Sequence, residues 1–248
     1  MNEFIERAKN RKSIRKFKDK PVEKEILDTL FDTMLCTAAS SYKQQVSVIR
    51  ITSKELKEKI SNISGQDFIK DAPELLIFVA DNHRNISLVK EHGVDMEKRE
   101  SDVDIFFQGV TNAALMAQNA EHIIISLGMG AVFLGSILND TEKIIELLKL
   151  PELTFPVVGM AFGYPDQDPR VKPKIGKDIR VFENRYNVKE SYKEALKEYN
   201  NEVYEYYKGR NIDETLNDYF KQTIHKYSKS NPKRNALIEV AKKNGYKL

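Results

Sequence analysis

The chain has 248 residues, of which 41% are hydrophobic and 31% charged, a composition typical of a folded domain rather than of a disordered chain. Its single cysteine, Cys36, excludes an internal disulfide, a cysteine-ligated zinc site and a CxxC redox pair, and the four histidines are scattered, so we expect no metal site. The net charge of +3 combines basic segments at 1–20 and 221–248 with an acidic middle, which suits a nucleic acid, a membrane surface, a phosphorylated small molecule or a merely solvated surface.

The first half of the chain alternates between helical and extended patterns. The predicted elements are helices at 2–10, 22–36 and 53–63 and strands at 45–52 and 74–81. The apolar run in 74–81 is continuous, which is typical of a strand buried on both faces. Cys36 lies on the apolar side of its helix, so we expect a buried structural thiol rather than a nucleophile.

The second half contains one long apolar helix and then becomes polar. The predicted elements are helices at 103–127 and 140–149, strands at 130–134 and 155–162, and, after a loop to about 188, polar helices near 189–208, 214–228 and 233–244. Helix 103–127 is apolar most of the way round, which places it inside the fold or at a subunit interface. These patterns predict a compact α+β core with a helical C-terminal extension.

The sequence patterns do not predict a targeting segment. The first 20 residues contain no apolar run longer than two positions, so we expect no signal peptide and a cytoplasmic location. The longest uncharged segment, 122–138, is shorter than the roughly 20 apolar residues that cross a bilayer. We therefore expect no membrane-spanning segment.

Two basic segments could bind an anion. Arg11–Lys16 places four cations and a hydroxyl after a helix, and such groups neutralise a phosphate. In Arg170–Lys174, an extended backbone would project Lys172 and Lys174 to the same side. Either segment could equally be ordinary solvated surface.

The glycines at 128–136 are not a dinucleotide-binding fingerprint. That motif follows a strand and opens a helix, whereas these glycines follow a helix and open a strand, and Phe133 stands where the third glycine belongs. At Gly135–Ser136, where the chain leaves the strand, backbone N–H groups could approach a planar ligand, although a plain turn would look the same. The spacing supports no Ser-His-Asp or Cys-His arrangement, and no HExxH or phosphate-binding loop is present, so an enzyme here would take its chemistry from a cofactor.

Taken in order, these segments resemble the flavin-dependent nitroreductase superfamily, in the branch of the major oxygen-insensitive nitroreductase and the bacterial NADPH–flavin oxidoreductases. The resemblance extends from Arg11 to about residue 245. It rests on RKSIRKFKDKPV (11–22), AASSYKQQVSVIRIT (38–52), SGQ (64–66), ELLIFVAD (74–81), NAALMAQNAEHIIISLGMGAVFLGSILND (112–140), LKLPELTFPVVGMAFGYP (148–165), VKPKI (171–175) and YYKGRN (206–211).

The resemblance implies a homodimer in which helices surround a central, mostly antiparallel sheet, with one FMN per subunit at the dimer interface. Residues 1–165 would form the FMN-binding core, and 166–248 an extension of the same domain with a phosphate-binding loop and excursion helices. The residues it implies for FMN binding are Arg11, Lys12, Ser13, Arg15, Ala39, Gln66, Phe133, Leu134, Gly135, Ser136, Lys172 and Lys174. Arg210 would grip the 2′-phosphate of NADPH.

This sequence departs from the usual pattern of the branch at four places. Lysine replaces the usual arginine at 12 and 174, and lysine cannot form the bidentate fork. Ala39 stands where relatives often have serine, which leaves only a backbone contact. The tryptophan typical of the segment after Arg210 is absent, and Leu216 stands there.

The implied activity is an NADPH-dependent (or NADH-dependent) flavin oxidoreductase that reduces nitroaromatics, quinones or free flavin. The implied mechanism is a two-electron ping-pong exchange in which the flavin N5 carries the chemistry, without an obligatory protein acid or base. One alternative is a flavoprotein of the same fold with a narrow reaction, such as dehalogenation or flavin fragmentation. A nucleic-acid-binding protein is a further alternative, but the basic ends lack aromatic stacking residues or a DNA-binding module, so we expect no nucleic-acid or membrane partner.

Overall fold

The computed structural model describes residues 2–96, 102–209 and 213–248. The strands are β1 (Val46–Arg50), β2 (Glu74–Asp81), β3 (Gly130–Leu134) and β4 (Thr154–Gly163). The described helices are α1 (Glu3–Lys9), α2 (Lys24–Leu35), α3 (Lys54–Ser64), α4 (His83–Glu91), α5 (Val103–Ser126), α6 (Thr141–Leu148), α7 (Lys177–Arg180), α8 (Tyr192–Ala195), α9 (Lys197–Tyr207), α10 (Tyr219–Ser228), α11 (Pro232–Asn235) and α12 (Leu237–Lys243). Short 3₁₀ segments lie at Ser40–Tyr42, Asp67–Ile69, Gly135–Asp140 and Glu214–Leu216.

The strands form a single antiparallel sheet in the order β1-β2-β4-β3. Every residue of β2 is buried, as expected for a central strand covered on both faces. The predicted α+β fold with an antiparallel sheet is therefore confirmed.

The two faces of the sheet are covered by different helices. Leu76 and Phe78 of β2 join a cluster with α2 and α5, whereas Leu75 and Ile77 join a second cluster with α3 and α6. Successive side chains of a strand point to opposite faces, so one apolar strand supplies both clusters. The result is three layers with the sheet in the middle.

The chain enters β3 by the route that the glycine pattern predicts. Helix α5 ends at Ser126, Gly128 adopts a φ of +77°, and β3 begins two residues later. A positive φ costs glycine little, so this residue permits the sharp change of direction. The exclusion of a dinucleotide-binding fingerprint is confirmed, because these glycines follow a helix and open a strand.

Three features differ from the sequence predictions. Cys36 is exposed, because α2 ends at Leu35 and the cysteine is its C-cap residue rather than part of the apolar face; the prediction of a buried thiol is wrong. Helix α4 was not predicted, since it buries only Ile86 and has a weak apolar pattern. The long helix predicted at 189–208 is divided at Leu196 into α8 and α9, and that predicted at 233–244 is divided at Ala236 into α11 and α12.

The chain divides into two compact units. One contains Met1–Pro169 together with Asn231–Leu248, and the other contains Arg170–Ser230. In the first unit, Asp102 N donates to Lys247 O (2.8 Å) and Lys247 N donates to Asp102 Oδ2 (2.9 Å). The last residues of the sequence therefore pack against the N-terminal end of α5.

Within the described residues, no helix combines the length and the apolar character needed to cross a membrane.

Candidate functional site

The first basic segment lies alongside β3. Ser13 and Ala131 form a parallel bridge, and Ile14 N donates to Ala131 O (3.0 Å). Ile14 packs closely over Gly130, where a Cβ would lie 2.9 Å from the Ile14 Cβ. Only glycine at 130 therefore lets this segment approach the strand so closely.

Arg11 is held by a buried carboxylate. Its Nε donates to Glu121 Oε1 on α5 (2.5 Å), and the Glu121 side chain is only 2% exposed. Its Nη1 donates to Ser13 Oγ (3.3 Å), and the guanidinium carbon lies 5.7 Å from the centre of the Phe133 ring. The charge of Arg11 is thus balanced inside the protein, and the guanidinium is fixed between α5 and β3.

Lys12 and Arg15 differ in their charge partners. Lys12 forms an ion pair with Asp168. Arg15 is exposed, and its side chain forms no hydrogen bond or ion pair with any residue that the structure describes. Of the arginines in this basic segment, Arg15 is therefore the one whose charge remains available to an external anion.

The carboxyl end of β3 carries the next group of predicted residues. Gln66 Nε2 donates to Ser136 Oγ (2.9 Å), and Gln66 follows Gly65, which turns the chain with a φ of +62°. A Cβ built on Gly135 would meet nothing within 4 Å, so the space beside this turn is open. Phe133 is half-buried and Leu134 is fully buried.

Apart from Ala39, the predicted residues of the first unit thus lie in two neighbouring sets on β3 and its turn. Arg11 and Ser13 lie beside the strand, and Gln66 contacts Ser136 at its end. Ala39 belongs to neither set. It lines a separate cavity of about 280 Å³ with Asn112 and Met116, and within the described part of the chain the Nδ2 of the buried Asn112 has no hydrogen-bond partner.

The second basic segment lies in the second unit, against α9. Tyr199 OH donates to Pro173 O (3.4 Å), and the Lys172 ammonium lies 5.0 Å from the centre of the Tyr207 ring. Burial is the largest single effect and opposes ionisation of Tyr207, but hydrogen bonds from Lys172 and Gln222 and the nearby positive charges of Lys172 and Lys226 together lower the pKa of the phenol. Lys174 is exposed. Arg210 lies outside the described residues, so its predicted role stays a prediction.

Glu121 is a site residue that the sequence interpretation missed. In the sequence it is the only charged side chain between Asp104 and Asp140, on a helix that is mostly apolar and has no other charge there. A lone carboxylate in such a helix needs a buried partner, since an unpaired buried charge is costly. That rule predicts a buried ion pair, but nothing in the sequence points to Arg11, 110 residues away.

Comparison with known proteins identifies the family. The model of the nitroreductase family matches residues 8–164, and that of the nitroreductase family C-terminal domain matches residues 172–248. An NADPH-dependent oxidoreductase of Staphylococcus saprophyticus is 33% identical over 241 residues, which cover 96% of this chain and 95% of that protein. An NADPH-dependent oxidoreductase of Staphylococcus aureus is 35% identical over 207 residues, which cover 82% of each chain.

Solved structures share the whole architecture. The NfrA1 nitroreductase of Bacillus subtilis superimposes with a TM-score of 0.91 at 29% identity, covering 99% of each chain. The NADPH:FMN oxidoreductase of Vibrio harveyi, solved with NAD⁺, gives a TM-score of 0.85 at 28% identity, covering 98% of each chain. The fold is thus that of an α+β oxidoreductase with a nitroreductase-type antiparallel sheet. The chain belongs to the nitroreductase family.

Proposed function

We propose that this protein is an FMN-dependent NADPH oxidoreductase that transfers two electrons to nitroaromatics, quinones or free flavin. The observation that carries the proposal is the parallel alignment of the basic segment with β3, because it places an anion-binding segment beside the turn that could receive a planar ring. The proposal draws further support from the Vibrio harveyi relative, whose activity is NADPH:FMN oxidoreduction.

The described residues fit a flavin mononucleotide. Arg15 offers a cation without a carboxylate partner, which suits a phosphate. The open space beside Gly135 suits a flat ring that approaches the backbone, and Gln66 and Ser136 offer polar groups next to it. The family resemblance implies Lys172 and Lys174 as further phosphate-binding residues, and a phosphate dianion needs more than one cation.

The role of the protein in the reaction is to bind and orient. Bound FMN would supply the redox chemistry, taking a hydride from NADPH and delivering two electrons to the acceptor. Arg15 would neutralise part of the charge of the phosphate. The backbone N–H groups at Gly135 and Ser136 would donate to the ring where negative charge develops on reduction, which is the electrostatic contribution expected of a site without an acid or base. Arg210 would select NADPH by its 2′-phosphate.

We further propose that the protein acts as a homodimer. On α5, Phe107 and Leu115 are 60% and 50% exposed, and eight residues of helix place them within about 80° of each other around the axis. Leu35, at the end of the adjacent α2, is also exposed. A second copy of this chain would cover these side chains, and Leu115→Glu should shift the mass measured by light scattering from a dimer to a monomer.

The proposed function is tested by comparing wild type with Arg15→Ala and a neighbouring control, Lys16→Ala. Each protein is purified without added flavin, its visible spectrum is recorded, and FMN affinity is measured by fluorescence. Successive side chains of an extended segment point in opposite directions, so Lys16 is matched in charge and position but not in orientation. We expect wild type and the Lys16 variant to bind FMN and be reduced by NADPH under anaerobic conditions, and the Arg15 variant to lose FMN and turnover.

Two results would refute this proposal. Retention of FMN and full turnover by Arg15→Ala would refute the phosphate assignment. A wild-type protein that neither binds added FMN nor oxidises NADPH or NADH would refute the oxidoreductase mechanism. A greater rate of reduction by NADH than by NADPH would replace the proposed donor but keep the flavin.

A further inference from the structure

The 3₁₀ segment Gly135–Asp140, which we call turn 135–140, is held by a side chain from the far end of the sequence. Arg234, half-buried on α11, donates from Nη1 to Gly135 O (2.8 Å) and to Asn139 Oδ1 (3.2 Å). Asn139 in turn donates from Nδ2 to Ser64 O (3.3 Å), at the end of α3. One guanidinium therefore connects the start of the turn to its end.

The backbone that carries Arg234 is itself fixed. The Asn231 side chain caps α11 by accepting from Lys233 N (3.1 Å) and Arg234 N (3.3 Å), and Pro232 occupies the first helical turn. Lys233, the neighbouring cation, forms an ion pair with Asp140, but its side chain is 59% exposed. Because the lysine end of this pair is open to solvent, we expect the pair to contribute less than a charge-assisted bond to a backbone carbonyl in a half-buried position.

The contact of Arg234 with Gly135 O orients the whole peptide group between Gly135 and Ser136. A trans peptide is planar, with the C=O of one residue and the N–H of the next pointing in opposite directions. Because Arg234 holds Gly135 O, it also determines where the Ser136 N–H points. A positive charge at the oxygen further polarises that peptide group and makes its N–H a stronger donor.

We propose that Arg234 is a positioning residue for the flavin. It orients and polarises the Gly135–Ser136 peptide so that the Ser136 N–H is presented to the ring, and this inference rests on the proposed function. Arg234 is separated from Gly135 by 99 residues, and no pattern in the basic tail distinguishes it from its neighbours. The role requires the guanidinium contact with the turn rather than the general basicity of the tail.

The test compares Arg234→Met, which keeps the stem but removes the donors, with Arg234→Lys, which keeps a charged donor, and with Lys233→Met as the matched control. Hydrogen–deuterium exchange of the amides in turn 135–140 is measured without flavin, and then the FMN dissociation constant and the midpoint potential of bound FMN. We expect Arg234→Met to speed exchange in the turn, weaken FMN binding about tenfold and lower the potential. Arg234→Lys should restore part of each property, and Lys233→Met, which removes only the ion pair with Asp140 at the end of the turn, should change each much less.

Each contrary result has a separate meaning. Unchanged exchange in Arg234→Met would overturn the claim that Arg234 holds the turn. Faster exchange with unchanged FMN affinity and potential would overturn its role toward the flavin. Equal effects of Arg234→Met and Lys233→Met would also overturn the proposal, because they would reflect the basic tail as a whole. Failure of wild type to bind FMN would refute the proposed function first, and this inference with it. If Arg234→Met fails to fold, Arg234→Lys against Lys233→Met decides the question by the same measurements.

Discussion

Tyr246 offers a quantitative test of how the C-terminal segment is held. Its side chain is only 2% exposed, its hydroxyl donates to Leu153 O (2.7 Å), and it accepts from Asn82 Nδ2 (3.0 Å). Burial raises the pKa of this phenol well above its usual value, so it stays neutral and keeps both bonds. Tyr246→Phe removes both bonds without removing the ring.

The expected cost follows from what each partner retains. Asn82 Nδ2 still donates to Ile105 O (3.3 Å), and Leu153 O still accepts from Asn82 N (3.0 Å), so neither group becomes fully unsatisfied. The loss therefore falls in the lower half of the range of about 1–3 kcal/mol expected for two hydrogen bonds, at about 1.5 kcal/mol of unfolding free energy. For a chain of this size, that corresponds to a Tm lower by about 3–6 °C.

The assay is urea and thermal unfolding of wild type, Tyr246→Phe and the control Tyr227→Phe, whose side chain is 89% exposed. The control should unfold as wild type does. Tyr246→Leu should lose more, because it also removes the edge contact with Phe106, whose ring centre lies 5.0 Å away. A Tyr246→Phe protein as stable as wild type would refute the reasoning, since the two bonds would then contribute nothing.

Two further predictions concern pH and packing. Glu23 has its pKa lowered to about 2, chiefly by a hydrogen bond from Lys20, so its contribution to stability is complete above about pH 4.5 and lost as the pH falls toward 2. Denaturation of Glu23→Gln against wild type should show a difference at pH 7 that vanishes near pH 2, and a constant difference would contradict this. Gly130→Ala would force its Cβ against Ile14. It should lower the free energy of unfolding by about 1–3 kcal/mol and raise the FMN dissociation constant. Gly128→Ala, whose Cβ meets nothing within 4 Å but whose φ is +77°, should lose stability and retain FMN, and equal FMN loss in both would contradict the packing argument.

Local hydrophobic patterns predicted most of the elements. The continuous apolar run gave β2 its correct bounds, Glu74–Asp81, and the long apolar pattern gave α5 to within one residue at its end. These elements bury large apolar surfaces, so their identity is determined by their own residues. Helix α4 was missed because Ile86 is its only buried residue. Its own sequence therefore carries little of the apolar pattern from which a helix is predicted.

The site was harder to predict because its contacts join distant residues. The segment Arg11–Lys16 looked like any basic loop, and only its pairing with Ala131 shows that it lies on β3. The same is true of Glu121, whose partner is 110 residues away. Charge composition left an anion site and an ordinary solvated surface both open, because which cations are already paired, and so which remain available, depends on the folded arrangement.

The division of the chain has a consequence for its synthesis. The core unit is interrupted by Arg170–Ser230 and resumes at Asn231, with Lys247 bonded to Asp102 across 145 residues. On a ribosome that releases the chain from its N-terminus, the sheet would be complete once β4 emerges, but Asn82 and Leu153 would wait for Tyr246, which follows Leu153 by 93 residues. The unit Arg170–Ser230 therefore delays the docking of Asn231–Leu248 on the rest of the core unit. Lengthening this unit should slow the docking more than it changes the stability of the folded protein, because loop-closure entropy grows only slowly with length.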